Sequence, residues 1–204
     1  IIQGTADFYA IDAYRAQYVA APAGGLAACV NNMTDPNWPQ CNEVVMYDTD
    51  GWAVGPNADT WSASWLQATP QNLRGSLRAL VGRWPVGKIY ISEFGFNEPG
   101  EARRSNSLLT PWDGYIVTED VTRTNYYMTY LGEALLAIHE DGIPLMGAFA
   151  WSFIDDAEWT VGFAARFGIQ YLNQTTLERT PKRSAFALCE RFCWTYWVWM
   201  LTGL

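Results

Sequence analysis

In two stretches of the chain a short apolar run is followed directly by acidic residues. The first, Ile89 to Gly95 (IYISEFG), is a β-branched and aromatic run that stops at Glu93, and a glycine follows two residues later. A buried parallel strand would place Glu93 at its carboxyl end, where barrel enzymes keep their chemistry. The second, Trp151 to Trp159 (WSFIDDAEW), ends in acids between two tryptophans. Carboxylates bind hydroxyl groups and indole faces cover pyranose rings, so the two stretches predict a sugar site.

The composition fits one domain with a substantial core and a neutral ligand. The 204 residues are 50% hydrophobic and only 17% charged, so the chain is not a disordered one. Its 11 Trp and 11 Tyr residues favour an aromatic-lined cleft over the plainer alternative, a large aromatic core. The net charge of −8 and the pI of about 4.6 argue against nucleic acid as a partner, because phosphates need clusters of Lys and Arg.

The four cysteines predict one disulfide and no metal site. A bond between Cys29 and Cys41 would close a loop rich in Asn, Asp and Pro, whereas Cys189 and Cys193 lie one helical turn apart, a spacing that bonds less readily. The whole chain has 1 His, so the cysteines do not match a zinc site, and we expect neither a metal nor a cofactor.

Two glycosylation sequons suggest an extracellular setting. They begin at Asn32 and Asn173. With the acidic composition they predict a secreted or cell-surface glycoprotein. No signal peptide is visible, and Ile1 to Gly4 (IIQG) is not typical of a natural start, so we expect an amino end that is processed, cut or unobserved.

The periodicity along the chain predicts strands that alternate with helices. This order requires a parallel sheet with helices outside it. In chain order the predicted elements are a strand at 5–14, a long loop at 22–65 that could wall a cleft, a helix at 70–84, a strand at 88–93, a loop at 96–119, a helix at 121–141, a strand at 145–153, a hairpin at 167–172 and 177–179, and a helix at 182–192.

An uncharged aromatic tail follows the last predicted helix, so we divide the chain into residues 1–192 and a tail at 193–204. The tail is too short to span a bilayer, which needs about 20 apolar residues. We expect it to pack on its own protein; the alternatives are an anchor in the membrane interface and a subunit contact.

Five motifs of the chain resemble those of glycoside hydrolase family 1, the β-glucosidase and β-galactosidase family, and its fungal members in particular. The resemblance runs from about residue 4 to residue 192. The family motifs are ADFxGLNYY, [IV]TENG, WSLxDNxEW, GYxxRFG and RxPKxSA. Their counterparts here are Ala6–Tyr14, Ile91–Gly95, Trp151–Trp159, Gly162–Gly168 and Arg179–Ala185.

The resemblance implies an α/β fold, the eightfold (β/α)8 barrel, with its site at the carboxyl face of the strands. By position this chain would supply about the last three β/α units. The family's TxNEP strand, which carries the acid/base glutamate, has no counterpart here. Asn97-Glu98-Pro99 imitates that motif, but it follows closely after Glu93 and lacks the preceding Thr, so we do not expect Glu98 to be the acid/base.

The resemblance assigns the catalytic roles to Glu93 and Tyr14. Glu93 is the expected nucleophile; the alternative is a strand-end acid that caps the next helix. Tyr14 is the expected phenol that donates a hydrogen bond to Glu93 and orients it; the alternative is core packing.

The remaining site residues are expected to bind substrate. Glu158 would accept hydrogen bonds from sugar hydroxyls, Trp151 would stack beneath the ring, and Trp159 would donate its indole N–H to a hydroxyl. Phe167 would form part of the wall, with core packing as an equal alternative.

The chain departs from the family pattern around these positions. Phe94 replaces the Asn that usually follows the nucleophile, Asp12 and Ala13 replace Asn and Tyr, and Asp156-Ala157 replaces Asn-Phe. These changes bear on substrate detail and rate, and they leave the nucleophile in place.

Two functions are therefore predicted. The first is the nucleophile half of a retaining β-glycosidase that cleaves β-glucosides or β-galactosides and also transfers glycosyl groups to sugars, completed by the amino-terminal part of the barrel in the same or a separate chain. The alternative is a non-catalytic sugar-binding or pseudo-enzyme fragment that needs complementation. Three β/α units cannot close a barrel, and their open edges would favour association, including a homodimer. We expect no turnover by the chain alone.

Overall fold

A computed structural model of the chain describes residues 4–101 and 117–202, and it describes only the helical backbone of residues 193–202. Two compact units are present: residues 1–15 with 57–204, and residues 16–56. Residues 102–116, and with them most of the loop predicted at 96–119, lie outside the described part.

The larger unit is built on a three-stranded sheet, as the strand and helix order predicted. Strand β1 (Tyr9–Asp12) lies beside β4 (Ile89–Phe94), and β4 lies beside β5 (Leu145–Ala150); both pairs are parallel. Strands β1 and β5 are shorter than the predicted ranges 5–14 and 145–153. Beyond each strand one further N–H, of Ala13 and of Trp151, donates to β4, and the backbone then turns to other partners, as Ser152 does to the Phe167 carbonyl.

Two helices make the crossovers between these strands. After a single 3-10 turn at Pro70–Asn72, α2 spans Leu73–Arg83, within the helix predicted at 70–84, and buries Leu73 and Leu77. Helix α3 spans Val121–His139. It stops before Gly142, whose φ of +63° is the left-handed conformation that glycine adopts readily at a helix end.

The core of this unit lies between the sheet and the two helices. It is made of aliphatic and aromatic side chains that are almost fully buried, among them Leu77, Ile89, Ile91, Tyr127, Leu131 and Leu145. Ile89 and Ile91 of β4 are buried and Tyr90 between them is half-buried, as expected for a strand with one face toward the helices; the register shift between Ile91 and Phe94 then breaks the alternation and buries Phe94 as well.

The carboxyl-terminal part contains the predicted hairpin and a longer helix than predicted. Strands β6 (Gln170–Leu172) and β7 (Arg179–Pro181) pair antiparallel. Helix α4 spans Arg183–Thr202 and continues through the segment that we treated as a separate tail. The tail's side-chain contacts lie outside the described residues. Within the described part, no helix has both the length and the apolar character to cross a membrane.

Residues 16–56 correct the prediction of a structureless loop. Strands β2 (Tyr18–Ala20) and β3 (Glu43–Val45) pair antiparallel, and the short helix α1 (Leu26–Val30) lies between them in sequence. Cys29 and Cys41 form the expected disulfide. Elements of 3 to 5 residues are too short to show a helical or strand period, so the sequence analysis did not predict them.

A buried ionic network joins the loops that follow β4 and β5 to the helices. Arg123 of α3 is fully buried and pairs with Asp120 (2.8 Å) and with Glu101. Lys182, at the start of α4, is also fully buried and pairs with Glu101 (2.9 Å) and Asp155 (2.8 Å). Burial alone would raise the pKa of the Glu101 carboxyl, but the charges of Arg123 and Lys182 outweigh it and hold that pKa below its ordinary value.

We predict that Arg123→Met lowers the free energy of unfolding by about 3–5 kcal/mol, because it leaves buried carboxylates without their cation. Urea unfolding of the 204-residue chain at pH 7 measures the loss. Arg78→Met is the matched control: Arg78 also pairs with an acid, but its side chain is 54% exposed, so a much smaller loss is expected. Equal losses in the two variants would contradict a structural role for the buried network.

Candidate active site

Glu93 and Tyr14 meet where β1 and β4 end. The parallel register of these strands shifts between Ile11 and Asp12, so that Asp12 is opposite Glu93, and the Ala13 N–H donates to the Glu93 carbonyl at 2.9 Å. The chain then brings the Tyr14 hydroxyl to 2.8 Å from Glu93 Oε2. Burial, the bond to Glu93 and the charge of Glu93 raise the pKa of Tyr14 well above its ordinary value. The phenol is therefore a permanent donor to this carboxylate.

Trp151 and Glu158 form the second half of the site after β5. The Trp151 indole Nε1–H donates to Glu158 Oε1 at 2.8 Å. The loop that carries Glu158 is closed by a reciprocal pair of backbone bonds with Gly162, of 3.0 and 2.7 Å. Thus the loop presents Glu158 in one orientation.

Gly95 lets the ends of β4 and β5 approach closely. A Cβ atom at position 95 would lie 2.0 Å from the Trp151 carbonyl oxygen and 3.3 Å from the Phe167 ring. The Trp151 N–H also donates to the Phe94 carbonyl at 2.8 Å. Any larger residue at position 95 would push Trp151 away, so the glycine after Glu93 is required by packing.

An aromatic cleft of about 370 Å³ lies beside these residues. Phe167 is buried and meets the Tyr14 ring edge-on at 6.2 Å, so it is both a core and a wall residue. Trp159 is 98% exposed at the rim. The lining residues are Trp61, Ser62, Ser64, Trp65, Glu158, Trp159, Thr160, Val161, Ala165 and Phe167.

Trp61 and Trp65 line this cleft without having been predicted as site residues. Trp65 meets the Tyr14 ring edge-on at 5.7 Å. It also lies under the Arg15 guanidinium, which in turn donates to the fully buried Gln67 at 2.6 Å. The sequence feature that could have indicated them is the pair of tryptophans in the run TWSASW, at the end of the loop that we expected to wall a cleft.

The sequence model of the family "Glycosyl hydrolase family 1" matches residues 1–190 of the chain. The chain belongs to this family. Among curated relatives, "Beta-glucosidase 44" of Arabidopsis thaliana is 31% identical over 91% of this chain and 33% of its own length. "Beta-glucosidase 1B" of Phanerodontia chrysosporium is 30% identical over 94% of this chain and 31% of its own length. The chain therefore spans about a third of the length of these relatives.

Solved structures of the family share this fold. A family 1 β-glucosidase from the fungus Humicola insolens, in complex with glucose, superposes with a TM-score of 0.79 at 31% identity, over 94% of this chain and 36% of that one. The β-glucosidase from Trichoderma harzianum gives a TM-score of 0.76 at 30% identity, over 93% and 36%. These neighbours are (β/α)8 barrels, so the three parallel strands with their helices are part of such a barrel.

Glu98 of this chain is not among the residues that line the cleft. It is buried and accepts the backbone N–H groups of Thr122 (3.2 Å) and Arg123 (2.8 Å) at the start of α3. The helix-capping role that we weighed for Glu93 thus belongs to Glu98.

Two of the residues that depart from the family pattern, Phe94 and Asp12, make specific contacts with their neighbours. Phe94 is buried and packs against Tyr126 and Tyr127, with ring centroids 6.3 and 5.1 Å apart. Asp12 accepts a hydrogen bond of 2.9 Å from the Ser92 hydroxyl. Residue 94 therefore contributes to the core beneath the site, whereas residue 12 adds a carboxylate next to Tyr14.

The sequon asparagines lie in turns. Asn32 Oδ1 accepts bonds from the Thr34 N–H and hydroxyl, and Asn173 Oδ1 accepts from the N–H groups of Thr175 and Thr176. Their glycosylation stays a prediction. Across residues 4–101 and 117–202, no group of three His, Cys, Asp or Glu side chains has the arrangement of a metal site.

Glu158 should titrate above the ordinary glutamate value of 4.5. Burial raises the pKa of its carboxyl, the Trp151 indole N–H lowers it, and the charges of Asp156 and Glu93 raise it again. Hydroxyl donors bind the ionised form of a carboxylate, so the capacity of Glu158 to accept their hydrogen bonds is lost as the pH falls through this raised value.

Trp151→Phe should raise the pKa of Glu158 further, since it removes the indole donor. Carboxyl ¹³C NMR titration of the 204-residue chain measures both values. Trp159→Phe is the matched control, because Trp159 is 98% exposed, and the titration should hardly move. A Glu158 that titrates at or below 4.5 in the unaltered chain would contradict this account.

Proposed function

We propose that this chain carries the nucleophile side of a retaining β-glycosidase site and forms about the last three β/α units of the barrel. The 2.8 Å hydrogen bond from Tyr14 to Glu93 is the observation that supports this most directly. A core tyrosine would not need a carboxylate partner, and a capping glutamate would bond to backbone N–H groups. Glu93 instead accepts a phenol at the carboxyl end of a parallel strand.

In the proposed reaction Glu93 attacks the anomeric carbon of a β-glycoside and forms a glycosyl-enzyme, while the bond from that carbon to the leaving oxygen breaks and the acid/base carboxyl of the complete barrel protonates that oxygen. Tyr14 holds one carboxylate oxygen, so the other is directed at the sugar. The phenol cannot take over the negative charge, because its pKa lies far above neutrality. Water, or a second sugar, then releases the glycosyl group with inverted geometry at the same carbon, which gives net retention.

The cleft supports a neutral pyranoside as the substrate. Glu158 offers a carboxylate to hydroxyl groups, while Trp61, Trp65 and Trp159 expose aromatic faces and an indole N–H. Trp151 contributes by orienting Glu158, since its own N–H is engaged there. The curated relatives are β-glucosidases, which favours β-glucosides; β-galactosides remain the second substrate class.

The acid/base carboxyl would come from the amino-terminal part of the barrel, in the same or a separate chain. The outer strands support such a partner. Phe8, beside β1, and Met146 and Phe149 of β5 expose 54%, 57% and 59% of their surface. Phe8 and Phe149 both contact the Tyr90 ring of the central strand, so they lie on one exposed face of the sheet. An exposed apolar face, together with the open edges of β1 and β5, favours further strands, or a second copy of the chain, as its cover.

Covalent trapping tests the nucleophile. With a 2,4-dinitrophenyl 2-deoxy-2-fluoro-β-glucoside, the carboxylate attacks C1 and dinitrophenolate leaves with the bonding electrons, so no acid catalyst is needed. In the protein with its complete barrel, we expect peptide mass mapping to find one fluoroglucosyl group, on Glu93.

Glu93→Gln should abolish this label, whereas the control Glu190→Gln, an exposed position of α4, should retain it. A label on another carboxylate, or none on a folded barrel, would overturn the assignment and favour the non-catalytic sugar-binding alternative.

The 204-residue chain alone should not turn over a nitrophenyl β-glucoside, because water needs the second carboxyl as its general base to release the glycosyl group from Glu93. The assay compares release of nitrophenol by the purified chain with that by its Glu93→Gln variant. Equal background rates are expected. Hydrolysis by the monomer that depends on Glu93 would show that the acid/base lies within this chain.

A further inference from the structure

Three phenols of α3 bond to the backbone of the site from behind. The hydroxyls of Tyr126 and Tyr130 both donate to the Tyr14 carbonyl oxygen, each at 2.9 Å. The hydroxyl of Tyr127 donates to the Trp151 carbonyl oxygen at 2.9 Å. All three tyrosines are at most 2% exposed.

The Tyr14 carbonyl depends on these phenols for its position. β1 ends at Asp12, and the last bond of the ladder here is the one from the Ala13 N–H to Glu93. Beyond it the backbone of Tyr14 has left the sheet. Two donors fill both lone pairs of the Tyr14 carbonyl oxygen and thereby fix the peptide from which the Tyr14 ring projects.

Thr69 holds the Tyr130 hydroxyl from the other side. The Tyr130 hydroxyl donates to the Tyr14 carbonyl at 2.9 Å, while its oxygen accepts the Thr69 N–H at 3.1 Å and lies 3.2 Å from the Thr69 hydroxyl. The rings of Tyr126 and Tyr130 stack with centroids 4.2 Å apart, and Phe96 stacks on Tyr126 at 5.0 Å. This packing gives the two phenols little freedom to move.

We propose that Tyr126 and Tyr130 are positioning residues for the nucleophile, acting through Tyr14: they hold its peptide so that its phenol meets Glu93. The inference rests on the proposed function and goes beyond it, since neither tyrosine contacts Glu93 or the cleft. Tyr127 is the built-in comparison, because it bonds to Trp151 and serves the other half of the site.

The first test measures position without catalysis. In the 204-residue chain with ¹³Cζ-tyrosine, the Tyr14 resonance is identified by its loss in Tyr14→Phe. In Tyr126→Phe/Tyr130→Phe we expect this resonance to shift and its titration to move down toward the ordinary tyrosine value of 10, since the phenol leaves Glu93. Tyr127→Phe should leave both unchanged. The two single variants each keep one donor and should show smaller shifts, so the test survives if the double variant does not fold.

The second test measures chemistry in the protein with its complete barrel. The rate of fluoroglucosyl labelling should fall about 10- to 100-fold in Tyr126→Phe/Tyr130→Phe. In a Tyr14→Phe background the same pair of changes should have no further effect, because the residue they act through has lost its phenol. Tyr127→Phe should have the same effect in both backgrounds, as expected for an independent contact.

The outcomes separate the two claims. A Tyr14 resonance that is unchanged in the folded double variant, or rate effects that add to that of Tyr14→Phe, overturns the positioning role. A wild-type protein that takes no label overturns the proposed function, and the resonance of Tyr14 then still decides whether α3 positions this residue.

Discussion

The buried cation of Arg123 is the constraint on which the rest of the larger unit depends. A guanidinium with no exposure to solvent must be neutralised where it lies, and it is neutralised by acids from the helix start and from the loop after β4. Lys182 extends this requirement to the loop after β5. The segments that leave β4 and β5 are thereby tied to α3 and α4. The ends of these two strands, where Glu93 and Trp151 lie, are held in place by the same ion pairs.

Helix α3 serves two purposes with one surface. Its first turn carries Arg123, and the next turns carry the tyrosines that reach the carbonyls of Tyr14 and Trp151. Stability and the geometry of the site are therefore coupled through one element that lies entirely behind the sheet. Phe94 belongs to the same arrangement, because its ring packs on these tyrosines. Its departure from the family pattern, next to Glu93, is therefore explained by the core rather than by the substrate.

The site has two halves that differ electrostatically. Tyr14 is a neutral donor to Glu93, whereas Glu158 is a half-buried carboxylate with further acids nearby and one indole donor. In a retaining mechanism such a division is useful, because the nucleophile must stay ionised and oriented while the sugar-binding acid needs only to accept hydrogen bonds.

The sequence by itself determined the order of strands and helices, the strand that ends at Glu93, and the family, because these depend on local periodicity and short motifs. It also indicated Glu158 and its tryptophans. The family resemblance also predicted that Tyr14 meets Glu93, whereas only the tertiary structure decided how the chain brings these two together and which further side chains meet. The Tyr14–Glu93 contact spans 79 residues and depends on a register shift, and the phenols of α3 reach Tyr14 over 112 and 116 residues. Such contacts follow from strand register and helix packing, which no local sequence pattern specifies. The short elements of residues 16–56 could not be predicted either, because they are too short to show a periodic pattern.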